Sequence, residues 1–226
     1  MTKLWNLLKI IVWLPWSICF NLRQLPLRQA IKLPVLLYKP ELTSLDGEIE
    51  IQGPVRTGMI RLGFPVVSIY PSGGFRYENR GKIIFQTGGG KNTFLGGNCA
   101  ISVGKGATLT LGENFCATDG VKIVCFESVT FGRHCLAGWG TMVTDCDFHT
   151  MHTPTGPSKM TAPVEIGDNN WFAMQCLVLK GTRTPAKCVF AARSMTNRDY
   201  TSCGEETLFA GSPAKETRKG YYRILD

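Results

Sequence analysis

The 226-residue sequence predicts an all-β chain wound as a parallel β-helix, and two patterns carry that expectation. From Ile166 onward, bulky or β-branched residues recur every six positions, at Ile166, Phe172, Val178, Thr184, Phe190 and Thr196. A helix repeats every 3.6 residues and an isolated amphipathic strand every two, so neither accounts for a beat of six. One inward side chain per short flat face, repeated as the chain winds, does account for it. The second pattern is a recurring motif, apolar-x-apolar-Gly-polar-polar, at Leu109–Asn114, Val129–His134 and Val164–Asn169. Each copy reads as a short strand ended by a glycine turn. The 25 glycines agree with a strand-and-turn architecture.

Taken in order, residues 1–40 form an apolar, basic arm. It holds Lys3, Lys9, Arg23, Arg28, Lys32 and Lys39, and no acidic residue precedes Glu41. Asn6, Lys9 and Pro15 interrupt the apolar run, which falls short of the ~20 apolar residues of a spanning helix. No small-x-small cleavage site follows it, as a secretory signal would require. Trp5, Trp13 and Trp16 interleaved with Lys and Arg fit a segment lying in a membrane interface, or one packing on the body of the protein. Residues 41–82 read as a lead-in with a short alternating strand at 47–51. The β-helix is expected over 83–203, and residues 204–226 form a basic, aromatic tail.

The formal charge of +8 concentrates in the arm and the tail. With no stacking-aromatic pattern and no recognition helix, nucleic acid is not an expected partner, and anionic lipid matches the arm better. The nine cysteines show no C-x-x-C spacing and are odd in number. They read as small packing residues in a reducing compartment, most simply the cytosol.

Residues 145–163 break the beat, are rich in Pro, Gly and Thr, and hold His149 and His152, two of the three histidines. A loop thrown out from a regular scaffold is where functional residues concentrate. The third, His134, sits at a repeat turn and reads as structural. Asp145, Asp147, His149 and His152 include metal-ligand types, but residue type without geometry is weak evidence, and no metal is expected.

Four landmarks carry a resemblance. They are Asp145-x-Asp147-x-His149, the stretch Val164–Trp171, Leu179-Lys180-Gly181, and Ala210–Lys215. Their order is that of the hexapeptide-repeat acyltransferases of the left-handed parallel β-helix class. Over residues 83–217 the sequence resembles the surface-polysaccharide and maltose O-acetyltransferases. The resemblance implies a left-handed β-helix, acetyl-CoA as co-substrate, a sugar or lipid-linked sugar as acceptor, and a homotrimer with active sites between subunits. The reduced cysteines and the apolar, basic arm lead to the expectation of a cytoplasmic protein, peripheral on the inner face of the membrane where the arm reaches it. The resemblance places His149 as general base, a role that suits a group titrating near neutrality. Asp147 or Asp145 then holds the imidazole, and His152 is the understudy. No cysteine stands as an acyl nucleophile, so transfer is direct. By the same resemblance Trp171 flanks the thioester, and Ala173 and Ala191 let the backbone approach the pantetheine arm. Asn197, Arg198 and Lys215 reach toward the nucleotide end.

The sequence departs from the family pattern at Phe172-Ala173, Thr184-Pro185 and Ala192-Arg193-Ser194. Arg193 either narrows the donor groove, turns outward to a phosphate, or marks a chain without activity. Two alternatives stay open: a non-catalytic β-helix scaffold or binding protein, and an acetyltransferase with an amine or serine acceptor.

Overall fold

The computed structural model describes residues 2–67, 73–88 and 90–225, and the side chains of residues 8 and 10–225 within them. Three faces wind along the chain. Among the described residues they are a nine-stranded sheet A, a seven-stranded sheet B and a six-stranded sheet C. Sheet A begins with Val35–Leu37, sheet B with Pro40–Leu45 and sheet C with Glu48–Gln52, and each turn visits A, B and C in that order. Stacked strands are parallel, as in Leu109 over Val129 or Cys116 over Leu136. The strand Ala214–Lys219 closes sheet A in the antiparallel sense. The architecture is the parallel β-helix the sequence predicts.

The beat of six has a direct geometric cause. Ile166 stacks on Thr184 in sheet C, Phe172 on Phe190 in sheet A and Val178 on Thr196 in sheet B. Each pair is eighteen residues apart, which is six for each of three faces. All six side chains point inward, and none is more than 5% exposed. The rings of Phe172, Phe190 and Phe209 form a column with centroids 4.5 and 4.9 Å apart, near-parallel at 7° and 10°.

The winding starts earlier than the sequence reading placed it. Residues 41–82, read as a lead-in, supply strands to the same sheets: Pro40–Leu45 pairs with Phe75–Asn79, and Glu48–Gln52 with Lys82–Gln86. Unequal turns hide the repeat there. Val35 stacks on Ile60, twenty-five residues on, and Cys116 on Leu136, twenty on.

The glycine motif is a corner. From the strand Thr108–Leu111 on, the chain turns from sheet C into sheet A through a left-handed residue: Asn114, His134, Asn169 and Lys187 have φ between 54° and 58°. Asparagine tolerates that region best among residues with a side chain. The glycine two positions earlier lies on the next turn. A Cβ on Gly112 would come 2.3 Å from the carbonyl oxygen of Gly132, and one on Gly132 would come 2.4 Å from Asp168 Oδ1. His134, whose Nδ1 lies 3.0 Å from Asn114 Nδ2, is part of this corner.

The N-terminal arm forms helix α1 (Thr2–Gln24) and the short α2 (Leu27–Ala30). One face of α1 covers the outer edge of the first turn, where unpaired strand groups need partners. Asn21 Nδ2 donates to Val35 O at 2.7 Å, and its Oδ1 accepts from Val35 N at 3.1 Å. Ser17 Oγ accepts from Leu37 N at 3.0 Å, Gln24 Nε2 donates to Leu45 O at 3.0 Å, and Gln24 Oε1 accepts from the Tyr77 hydroxyl at 3.0 Å. The arm therefore packs on the body. Its Lys3, Trp5 and Lys9 side chains lie outside the described residues. Among the described residues no helix is long and apolar enough to cross a membrane.

Candidate active site

Residues 145–163 leave the winding at the corner between sheets B and C. They form a β-hairpin. Ala162 N donates to Asp145 O at 3.0 Å and Asp147 N to Met160 O at 3.0 Å, with an antiparallel bridge between Cys146 and Thr161. Farther out, His152–Thr153 pairs antiparallel with Gly156–Pro157.

Asp145 is fully buried. Its Oδ1 accepts from Phe126 N at 2.7 Å and its Oδ2 from Glu127 N at 2.8 Å. Through these two bonds the Asp145 carboxylate closes the corner of the preceding turn. Asp119 does the same elsewhere, buried and accepting from Gly97 N at 2.6 Å and Val66 N at 3.1 Å.

Asp147 is exposed and pairs with Lys180 Nζ at 2.6 Å. Lys180 Nζ also donates to the carbonyl of Lys159, so one ammonium joins both arms of the hairpin. His149 is exposed and makes no hydrogen bond among the described residues. The preceding Phe148 has φ 62°, a costly conformation for an aromatic residue and one that tends to occur at functional sites. Its ring lies 5.2 Å from that of Phe126, edge to face. His152 is exposed on the outer hairpin strand. Among the described residues, no group of three or more His, Cys, Asp or Glu is arranged to hold a metal ion.

The residues assigned to the donor fall in two places. Trp171 sits half-buried on the outer face of sheet A, between Leu136 and Val189. Ala173 and Ala191 start the corner from sheet A to sheet B, with Ala173 N donating to Phe190 O and Ala191 N to Phe209 O, both at 2.9 Å. With Gly138 they make a shelf of small residues one above another. Asn197 and Arg198, both exposed, follow the last strand of sheet B, and the Arg198 guanidinium lies 5.1 Å from the Tyr200 ring centre. Lys215 is exposed on the closing strand of sheet A. Arg193, at φ 61°, is exposed, and its Nε donates to Gln175 Oε1 at 3.1 Å along the corner.

His149, Asn197 and Arg198 thus share the B-to-C corner, while Trp171, Ala173 and Ala191 lie across the width of sheet B from them. Clefts of about 390 and 420 Å³ on sheet C, and of about 480 Å³ under the tail at Lys187 and Arg223, do not include His149. The outer faces differ in character. On sheet A, Phe94, Leu136, Trp171, Val189 and Leu208 share an outward row flanked by Arg61 and Arg218, and on sheet B, Met142, Leu177 and Met195 follow Arg76, Ala100 and Lys122. Sheet C presents Thr110, Thr130, Glu165 and Arg183.

Burial removes five of the thiols from nucleophilic chemistry. It pushes Cys99, Cys125 and Cys135 up to about 12, and Cys176 and Cys188 to about 11. A thiol is a nucleophile only as thiolate.

No protein-family model and no curated protein sequence matches the chain. Among solved structures, the polySia specific acetyltransferase NeuO aligns with a TM-score of 0.60 at 16% identity, over 83% of this chain and 72% of its own. The chain shares the parallel β-helix fold of that structure. The polysialic acid O-acetyltransferase OatWY aligns at a TM-score of 0.46 and 15% identity, covering 83% and 92%. A hexapeptide-repeat acetyltransferase of Vibrio cholerae O1 biovar eltor, complexed with acetyl coenzyme A, aligns at 0.39 and 21%, covering 60% and 64%.

Within this parallel β-helix, sequence reasoning missed the tie that Lys180 makes between the hairpin arms. It noted Leu179-Lys180-Gly181 as a landmark without assigning the ammonium a task. The available signal was a lysine at the corner one turn after the interruption, where a side chain can reach back to the loop.

Proposed function

We propose that the chain is an acetyl-CoA-dependent O-acetyltransferase that modifies a sugar hydroxyl of a surface polysaccharide or its precursor, with His149 as general base. One observation supports this above the rest. The hairpin that interrupts an otherwise regular winding carries an exposed histidine, and its base is fixed by the buried Asp145 carboxylate and the Lys180 ammonium.

In the proposed reaction the sugar hydroxyl gives its proton to the His149 imidazole as its oxygen attacks the thioester carbonyl. The new C–O bond forms, the C–S bond breaks, and the leaving thiolate takes the proton from the imidazolium. A positioned base contributes ~10²–10⁴-fold to such a step. Asp147 meets the Lys180 ammonium with Oδ2, and in this reading its Oδ1 accepts from the imidazole once the acceptor sugar is bound. Trp171 and the Ala173–Ala191 shelf hold the pantetheine arm, and Asn197, Arg198 and Lys215 attract the nucleotide phosphates. Gln175 Oε1 accepts from Arg193 Nε along the corner that Ala173 and Ala191 begin.

A homotrimer accounts for the separation of the two half-sites. The apolar stretches on the outer faces of sheets A and B flank one edge of the prism, the shape a three-fold neighbour covers, while polar sheet C stays in water. A second copy then lays its Trp171 edge against the His149 hairpin. Acetyl-CoA places the reaction on the cytoplasmic side.

The test incubates the protein with acetyl-CoA and a panel of nucleotide- and lipid-linked sugars while free thiol is followed. Thiol release that depends on a sugar acceptor supports the proposal. Absence of CoA binding by calorimetry overturns it in favour of the scaffold.

A further inference from the structure

Helix α1 lays a mixed face on the body, where Phe20 is buried against Tyr77 and Trp13 meets Tyr38, and carries a second, apolar stripe on its opposite side. A surface helix normally turns its apolar stripe to the core and its polar face to water. Here Ser17, Asn21 and Gln24, spaced along one stripe, face the protein and satisfy strand groups of the first turns. The opposite stripe, Leu8, Ile11, Val12, Ile18 and Leu22, faces outward, with Val12 65% exposed. Leu27 and Ile31 extend it past the helix end at 69% and 68% exposed. Scattered exposed apolar residues are ordinary, but a contiguous stripe along one helix marks an interaction surface.

Charge identifies the occupant. Arg23, Arg28 and Lys32 are exposed beside this stripe and have no acidic partner among the described residues. The first acidic residue of the chain is Glu41. A protein partner would be selected by complementary shape, whereas an apolar stripe rimmed by unpaired cations fits an anionic lipid surface. The stripe from Leu8 to Leu22 runs ~20 Å along the helix and lies flat on such an interface. We propose that the outward face of α1 and the Leu27–Ile31 segment dock the protein on an anionic bilayer, with the β-helix standing off the membrane. The inward polar side chains fix the helix to the body, so docking also sets the orientation of the winding. Docking does not depend on the acetyl-transfer reading. A lipid-carried sugar as the favoured acceptor rests on that reading.

The test is co-sedimentation of the full chain with phosphatidylcholine vesicles, with and without phosphatidylglycerol. Wild type is expected to pellet with the anionic vesicles and to stay largely soluble with phosphatidylcholine alone. Arg23→Gln/Arg28→Gln/Lys32→Gln is expected to weaken binding about fivefold per charge, roughly a hundredfold in all. Ile11→Asn/Val12→Asn/Leu22→Asn is expected to abolish it without moving the melting temperature, since these side chains face solvent. Wild type that remains in the supernatant, or an apolar variant that pellets like wild type, overturns the proposal. So does a larger assembly in light scattering that the apolar variant dissociates while no form binds vesicles, which makes the face a contact between copies. Thiol release with a water-soluble acceptor and no vesicles separates failure of docking from failure of catalysis.

Discussion

Asp145→Asn separates a structural carboxylate from a catalytic one. Asp145 is fully buried and accepts two backbone N–H bonds, at 2.7 and 2.8 Å, from Phe126 and Glu127. Asparagine keeps the shape but offers one carbonyl oxygen, so its NH₂ must face the second N–H. Losing a hydrogen bond to a charged group costs about 1.5–3 kcal/mol, and a buried donor left without a partner adds about 1–3 kcal/mol. The expected destabilisation is about 3–4 kcal/mol. At about 2–4 °C per kcal/mol for a chain of this size, the melting temperature falls by roughly 10 °C. Thermal melts followed by circular dichroism measure it, with Asp145→Ala as a second variant expected to fall at least as far. If Asp145→Asn melts with wild type while acetyl transfer is lost, the carboxylate acts on the imidazole and the structural assignment is wrong.

Phe190→Ala removes the middle ring of the Phe172–Phe190–Phe209 column and should cost about 3–5 kcal/mol in denaturant melts, whereas a cost below about 1 kcal/mol would mean the stack is not the core. Lys180→Met removes the tie between the hairpin arms. Because that pair is partly exposed, global stability should change by about 1 kcal/mol or less, while amide exchange across 147–160 accelerates. Unchanged exchange there would remove Lys180 from any positioning role. Thiol labelling of the native protein at neutral pH should modify exposed Cys19 and spare Cys99, Cys125 and Cys135, whose pKa values burial raises to about 12. Their thiolate fraction grows only as pH approaches those values, so fast labelling of any of the three at neutral pH would contradict the burial.

The regular turns from Ile166 to Thr196 were legible in the sequence because three faces of six residues repeat without insertions. The turns before Phe85 were not, since twenty-five residues between Val35 and Ile60 leave no fixed spacing to detect. The glycine motif was legible as a turn, and only stacking explains why glycine is needed: the carbonyl of Gly132 lies where a Gly112 side chain would begin. In the candidate site, His149 stood out because it lies in the interruption. The backbone bonds of Asp145 were not legible, because sequence does not distinguish a carboxylate facing backbone N–H groups from one facing an imidazole. The arm had a readable signal in Ser17, Asn21 and Gln24, one helical stripe of polar residues, but composition drew attention to its apolar and basic residues instead.

The account rests most heavily on His149, and the measurement that bears on it directly is steady-state acetyl transfer by His149→Ala across pH, with CoA binding measured in parallel. Loss of about 10²–10⁴-fold in kcat is expected, together with loss of the acidic limb of the pH profile and unchanged CoA binding. Turnover equal to wild type, with the same pH profile, would contradict the assignment of His149 as the base.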